Sequence, residues 1–165
     1  MQHLIGMNLP DVELRTSARR NFNPASHRTK AIYFCYPYTG RAGVADPQEW
    51  DTIKGAHGST PQALKFAELH EAFRKMNVDV FGLSFLSEDW IADFSALHKL
   101  PYDLLSDAEG NFSTALNLPR FKAGDREFLQ RLTLLCDQGR ITSVLYPVET
   151  PAENASDVLR RLQTP

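Results

Sequence analysis

Apolar residues fall into two kinds of run along this chain. AIYFCYP (31–37) and VDVFGLSF (78–85) are continuous stretches of strand length, which fits strands buried on both faces, and the first reads as the central strand of a sheet. YDLLS (102–106) is a shorter run of the same kind, and VELR (12–15) marks a short strand near the start, followed by a polar, turn-rich loop or edge hairpin over 17–30. Between Thr60 and Met76 the spacing changes: Phe66, Leu69, Phe73 and Met76 recur at helical intervals with charged residues between them, so one helix is expected there. A second helix is expected over 87–100, opened by a Ser87 cap, with Trp90, Ile91, Phe94 and Leu97 facing inward.

The remaining chain alternates in the same way. DAEGNFSTALNL reads as a turn and a short helix stopped by Pro119. REFLQRLTLLCDQGRITSVLYPV reads as two strands joined at DQG, and 153–162 as a closing helix with Ala155, Val158, Leu159 and Leu162 on one face. Parallel crossovers come first and an antiparallel pair last, which predicts an α/β fold with a mixed central sheet and helices on both faces. Residues 38–58, with four glycines, form a long loop, and loops of that length in compact domains are usually functional or disordered.

Size and charge narrow the function. At 165 residues the chain is read as a single domain spanning 1–165 with room for a substantial core. A net charge of −2 with scattered basic residues argues against a nucleic-acid surface. No apolar run approaches the roughly 20 residues that cross a bilayer, so no membrane partner and a cytoplasmic location are expected. Cys35 and Cys136 both lie inside apolar runs and read as small buried hydrophobes. No His/Cys/Asp cluster has metal-ligand spacing, so neither a metal nor a cofactor is expected; His57, His70 and His98 read as surface or half-buried residues.

The chemistry concentrates at GAHGSTPQALKF (55–66). Thr60-Pro61 opens the strongest helix, proline standing where its missing N–H costs nothing. Gly55 and Gly58 allow close approach to that helix end, whose partial positive charge stabilises an anion. A cysteine there is activated, whereas Ser59 starts from a far higher pKa. Locally, Ser59 with Gln62 also fits a capping box, and Thr60 fits an N-cap equally well. A serine hydrolase is disfavoured, because His57 has no adjacent orienting group and the Gly-x-Ser-x-Gly elbow is absent.

Together with LPDVEL, AIYFCYPYTG, LPYDLLSDAEG and RLTLLCDQGRI, this stretch resembles the peroxiredoxins, in particular the bacterioferritin comigratory protein-like branch. The resemblance implies a thioredoxin-like fold and a hydroperoxide substrate with a thiol reductant, in a monomer or homodimer. It places Ser59 at the attacking cysteine of a Gly-Cys-Thr-Pro-Gln-Ser-Cys motif and Leu64 at the resolving one, so both thiols are missing. Replacement of one cysteine by serine and natural loss of both thiols each fit that pattern. It assigns Arg131 to the arginine that holds thiolate and peroxide, and Pro37 and Thr39 to the loop's proline and threonine. The family's threonine stands three residues before its cysteine, where this chain has Ala56, which puts Thr39 apart from the family pattern. A non-catalytic binding or sensing module that holds a small anion or a partner protein in the helix-end pocket, with the 38–58 loop and an exposed Trp50 as its contact surface, is the alternative.

Overall fold

The computed structural model describes residues 1–164. In chain order the elements are β1 (Leu14–Thr16), β2 (Asn21–Phe22), β3 (Lys30–Cys35), α1 (Ser59–Glu68), α2 (His70–Lys75), β4 (Val78–Ser84) and α3 (Glu88–His98). They continue with β5 (Asp103–Ser106), α4 (Asn111–Ala115), β6 (Arg120–Ala123), β7 (Arg126–Leu129), β8 (Leu132–Asp137), β9 (Arg140–Leu145) and α5 (Asn154–Gln163). Seven strands form one sheet in the order β2-β1-β5-β4-β3-β8-β9. Within it β3, β4 and β5 run parallel, while β8 is antiparallel to β3 and β9 to β8. The expected mixed sheet is therefore present, but its middle strand is β4. The strand over AIYFCYP is interior and lies one place to the side.

Alternation along β3 divides the core in two. Ile32 and Phe34 face a cluster with Phe66 of α1, Phe73 of α2, Ile91 and Phe94 of α3, and Ala155 and Val158 of α5. Ala31, Tyr33 and Cys35 face the opposite cluster, which takes in Leu4, Leu9 and Phe112 of α4. Both faces of the sheet are thus covered by helix. Phe34 and Phe66 stack with ring centroids 4.3 Å apart, so α1 is pinned directly onto β3. Burying side chains of this size contributes about 1.5–3 kcal/mol each. The turn joining β8 to β9 carries Gln138 and Gly139 at positive φ, the backbone that a two-residue hairpin loop demands.

Several elements differ from the sequence expectation. The helix expected over 60–76 is two helices broken at Leu69, whose φ/ψ of −92°/3° leaves the helical region. REFL does not continue into LTLLCD; it forms β7 and pairs with β6 in a separate two-stranded ribbon. On α3, Ser87 Oγ accepts from the Trp90 amide as expected, and Ile91 and Phe94 are buried, but Leu97 faces solvent. Loop 38–58 is packed down. Trp50 is only 4% exposed, its ring against Phe128 at 4.9 Å, Tyr38 at 5.3 Å and Phe121 at 5.9 Å. That overturns the reading of Trp50 as an exposed contact surface. Arg41 fastens the outer part of the loop to α3, pairing with Asp93 and lying over the Trp90 ring at 5.1 Å. Among the described residues no helix is long and apolar enough to cross a membrane.

Candidate active site

α1 begins where the chain returns from the long loop, at the end of the sheet where β3 finishes and β8 starts. Gly58 precedes it with φ +113°, a backbone that side-chain-bearing residues rarely adopt, and a Cβ there would sit 3.0 Å from Pro151 Cγ. Its carbonyl accepts from the Gln62 amide at 3.1 Å. The helix therefore starts with Gly58 as its N-cap, and no side chain caps it. This corrects the capping-box expectation: neither Ser59 nor Thr60 serves as N-cap, because Ser59 is already the first helical residue. First-turn amides of a helix lack intrahelical acceptors, and they carry the positive end of its dipole.

Ser59 is 4% exposed, and its Oγ accepts a hydrogen bond from Arg131 Nη2 at 2.8 Å. Arg131, at the entry to β8, is 6% exposed. Its Nε donates to Gln62 Oε1 at 3.1 Å, Nη1 to the Gly55 carbonyl, and Nη2 also to the Ala56 carbonyl at 3.3 Å. All four acceptors are neutral. Burial alone pulls the guanidinium from its ordinary value down to about 10, which leaves it charged at neutral pH. A buried cation supported only by neutral acceptors, beside a helix start, makes a locally positive site.

The sequence reading missed the support behind this pair. Gln62 is fully buried, and its Nε2 donates at 3.1 Å to Oδ1 of Asn154, which also accepts from Thr133 Oγ1 at 2.9 Å. An unbroken hydrogen-bonded line therefore runs from α5 through α1 to the guanidinium and Ser59. Gln62 stands on the face of α1 that carries Ala63 and Phe66, and a polar residue on a buried face was the available signal. Asn154 gave none.

Thr39 shares a pocket of about 210 Å³ with Ser59, together with Tyr38, Asp46, Trp50 and His57. Its hydroxyl accepts from Trp90 Nε1 at 3.2 Å, and it makes no hydrogen bond with Ser59. The structure thus brings Ser59 and Arg131 into contact, while Thr39 lines the same pocket as Ser59 and hydrogen-bonds to neither. His57 turns to Asp51, Nε2 to Oδ1 2.7 Å, with both side chains largely exposed. The pairing that a serine hydrolase requires is not made. Leu64, on α1, is 41% exposed. Cys35 and Cys136 are buried and unpaired; burial drives the Cys35 thiol far above its ordinary range and the Cys136 thiol up to about 12. Neither supplies a thiolate near neutral pH.

A mixed sheet of this topology, with a helix start beside an interior strand, is a thioredoxin-like fold. The AhpC/TSA family model matches residues 54–144, more than half of the chain, and the chain belongs to that family. Peroxiredoxin Bcp of Bacillus subtilis is 27% identical over 143 residues, covering 83% of this chain and 81% of the relative. Among solved structures, a Cys→Ser variant of Xylella fastidiosa PrxQ superposes with a TM-score of 0.77 at 21% identity, covering 96% of this chain and 94% of that one. The Xanthomonas campestris bacterioferritin comigratory protein, whose structures concern alkyl peroxide reduction, gives 0.74 at 22% identity, covering 95% and 96%. At such identities the structural likenesses establish the fold.

Proposed function

We propose that the chain carries a peroxiredoxin peroxide site in which Ser59 stands where the family's attacking thiolate belongs, and that the chain as written turns over hydroperoxide slowly or not at all. The observation that carries this reading is the 2.8 Å hydrogen bond from buried Arg131 to Ser59 Oγ at the start of α1. In the reaction this site suits, a thiolate sulfur attacks one peroxide oxygen. The S–O bond forms as the O–O bond breaks, and the departing oxygen takes a proton to leave as water or an alcohol. Sulfur is oxidised to a sulfenic acid, which a thiol reductant returns to the thiol. Arg131 stabilises the thiolate and the charge that develops on the departing oxygen. Thr39 lines the pocket that the peroxide enters. A serine hydroxyl has no accessible anion at neutral pH, and taking up a peroxide oxygen would only make another O–O bond in place of the stable S–O bond of a sulfenic acid, so the first step fails.

Peroxide consumption with a dithiol reductant tests this directly. The serine chain is expected to match the protein-free blank, and a Ser59→Cys variant to consume peroxide catalytically. Equal turnover by both forms overturns the assignment of Ser59.

A second reading is favoured by the same buried cation: Ser59 is neutral, and the one carboxylate lining the helix-end pocket, Asp46, makes no ion pair with Arg131. The pocket then serves as a binding site for a small anion. Trp50 lines that pocket, so a saturable change in its fluorescence on adding formate supports binding, and no change removes the reading.

A further inference from the structure

A larger pocket, of about 380 Å³, adjoins the site and shares no lining residue with the pocket that holds Ser59. Arg131 is common ground, since it walls this larger space while donating to Ser59 Oγ. Most of the wall is apolar: Ile53, Phe121, Tyr146, Pro147 and Val148. The volume and the lining fall in the range of small-molecule sites, a mostly apolar cleft with a few polar groups.

The polar groups select the ligand. Tyr146 Oη donates to Gln130 Oε1 at 2.7 Å, and Gln130 Nε2 donates to the Arg120 carbonyl at 3.1 Å, so these two are already satisfied. Arg131 has five N–H groups. Four have acceptors among the described residues, in Gln62, Gly55, Ala56 and Ser59, and one on Nη1 is left over. Lys54 adds a second cation to the lining, against the single carboxylate of Glu149. Buried charge is favourable only when it is paired, and among the described residues no carboxylate pairs this guanidinium. We propose that this pocket binds a small organic carboxylate, its head on Arg131 and Lys54 and its apolar body against Phe121, Tyr146 and Val148.

Calorimetric titration of the full chain with sodium hexanoate and with 1-hexanol tests the site. Hexanoate is expected to bind saturably at one site, and hexanol about tenfold or more weaker, as loss of a charge-assisted hydrogen bond implies. Val148→Trp fills the pocket and is expected to weaken hexanoate about tenfold, provided its thermal unfolding remains cooperative. Lys54→Ala alters only an exposed side chain and is expected to weaken it by about threefold. The proposal is overturned by a lack of saturable heat with hexanoate, or by equal binding of hexanol. It is overturned too if both variants bind normally while Ser59→Leu does not, since the ligand would then sit beside Ser59. No peroxide chemistry enters the readout, so an inactive Ser59→Cys variant leaves this inference standing.

Discussion

At position 59 the helix start and Arg131 act together on whatever atom is placed between them. Both favour a negative charge, and a thiol at such a site falls from about 8.5 into the range of about 3.5–7.5. The Ser59→Cys variant is therefore expected to react with iodoacetamide at a rate that rises with pH through a midpoint below 7.5, while Cys35 and Cys136 stay unlabelled in the folded chain. A midpoint at or above 8.5 contradicts the electrostatic account. Gln62 is the residue on which the guanidinium's aim depends. Gln62→Leu deprives Arg131 Nε of its acceptor and Asn154 Oδ1 of a donor, and is expected to cost about 1–3 kcal/mol in urea unfolding. Ser59 and Arg131 were legible in the sequence, one from its helix start and the other from family resemblance. Gln62 was misread because a polar residue three positions after a serine has the same spacing whether it caps the helix or points into the core. Asn154 stayed hidden, since its partner Gln62 lies 92 residues away.

Among elements, the start of α1 and the loop before it fix the site. Gly58 combines a positive φ with a Cβ position 3.0 Å from Pro151, so Gly58→Ala is expected to destabilise by about 1–3 kcal/mol and to displace Ser59 from Arg131. Chemical unfolding measures the first effect, and slowed alkylation in a Gly58→Ala, Ser59→Cys double variant the second. Loop 38–58 was legible as a loop, from its glycines and polar residues, but its packing was not. Trp50 sits among polar neighbours in sequence, and its partners Phe121 and Phe128 lie about seventy to eighty residues further on. Trp50→Ala removes that anchor and is expected to expose the loop to trypsin cleavage at Arg41 and Lys54 while the sheet stays intact. The strand boundary at Gln130-Arg131 escaped notice because no glycine or proline marks it. The break at Leu69 was equally silent, since helical spacing of the apolar residues continues across it.

For the whole molecule, the order of strand-like and helical runs was enough to give a mixed sheet covered on both faces, because buried parallel strands and amphipathic helices have different periods. Strand order was less legible: local pattern says that β3 is buried, and it takes β5, β1 and β2 on the far side to make β4 the middle. Burial also sets a pH response for the entire fold. Cys35 and Cys136 are held protonated well above an ordinary thiol, Cys136 up to about 12. A folded pKa raised above the unfolded value means stability is full below about 8.5 and declines as pH climbs toward the folded values. The melting temperature is expected to fall between about pH 8.5 and 10, and less steeply in a Cys35→Ala, Cys136→Ala variant compared at matched baseline stability.

The central claim is that the positive helix start and Arg131 form a peroxide site that lacks its attacking sulfur. One equivalent of hydrogen peroxide added to the reduced Ser59→Cys variant, with dimedone present to trap sulfenic acid, reads that claim by mass spectrometry. The account predicts a dimedone adduct at position 59, none at Cys35 or Cys136, and sharply less adduct when Arg131→Met is added. A folded Ser59→Cys chain that stays unmodified at position 59, or one that is modified equally well without Arg131, contradicts it.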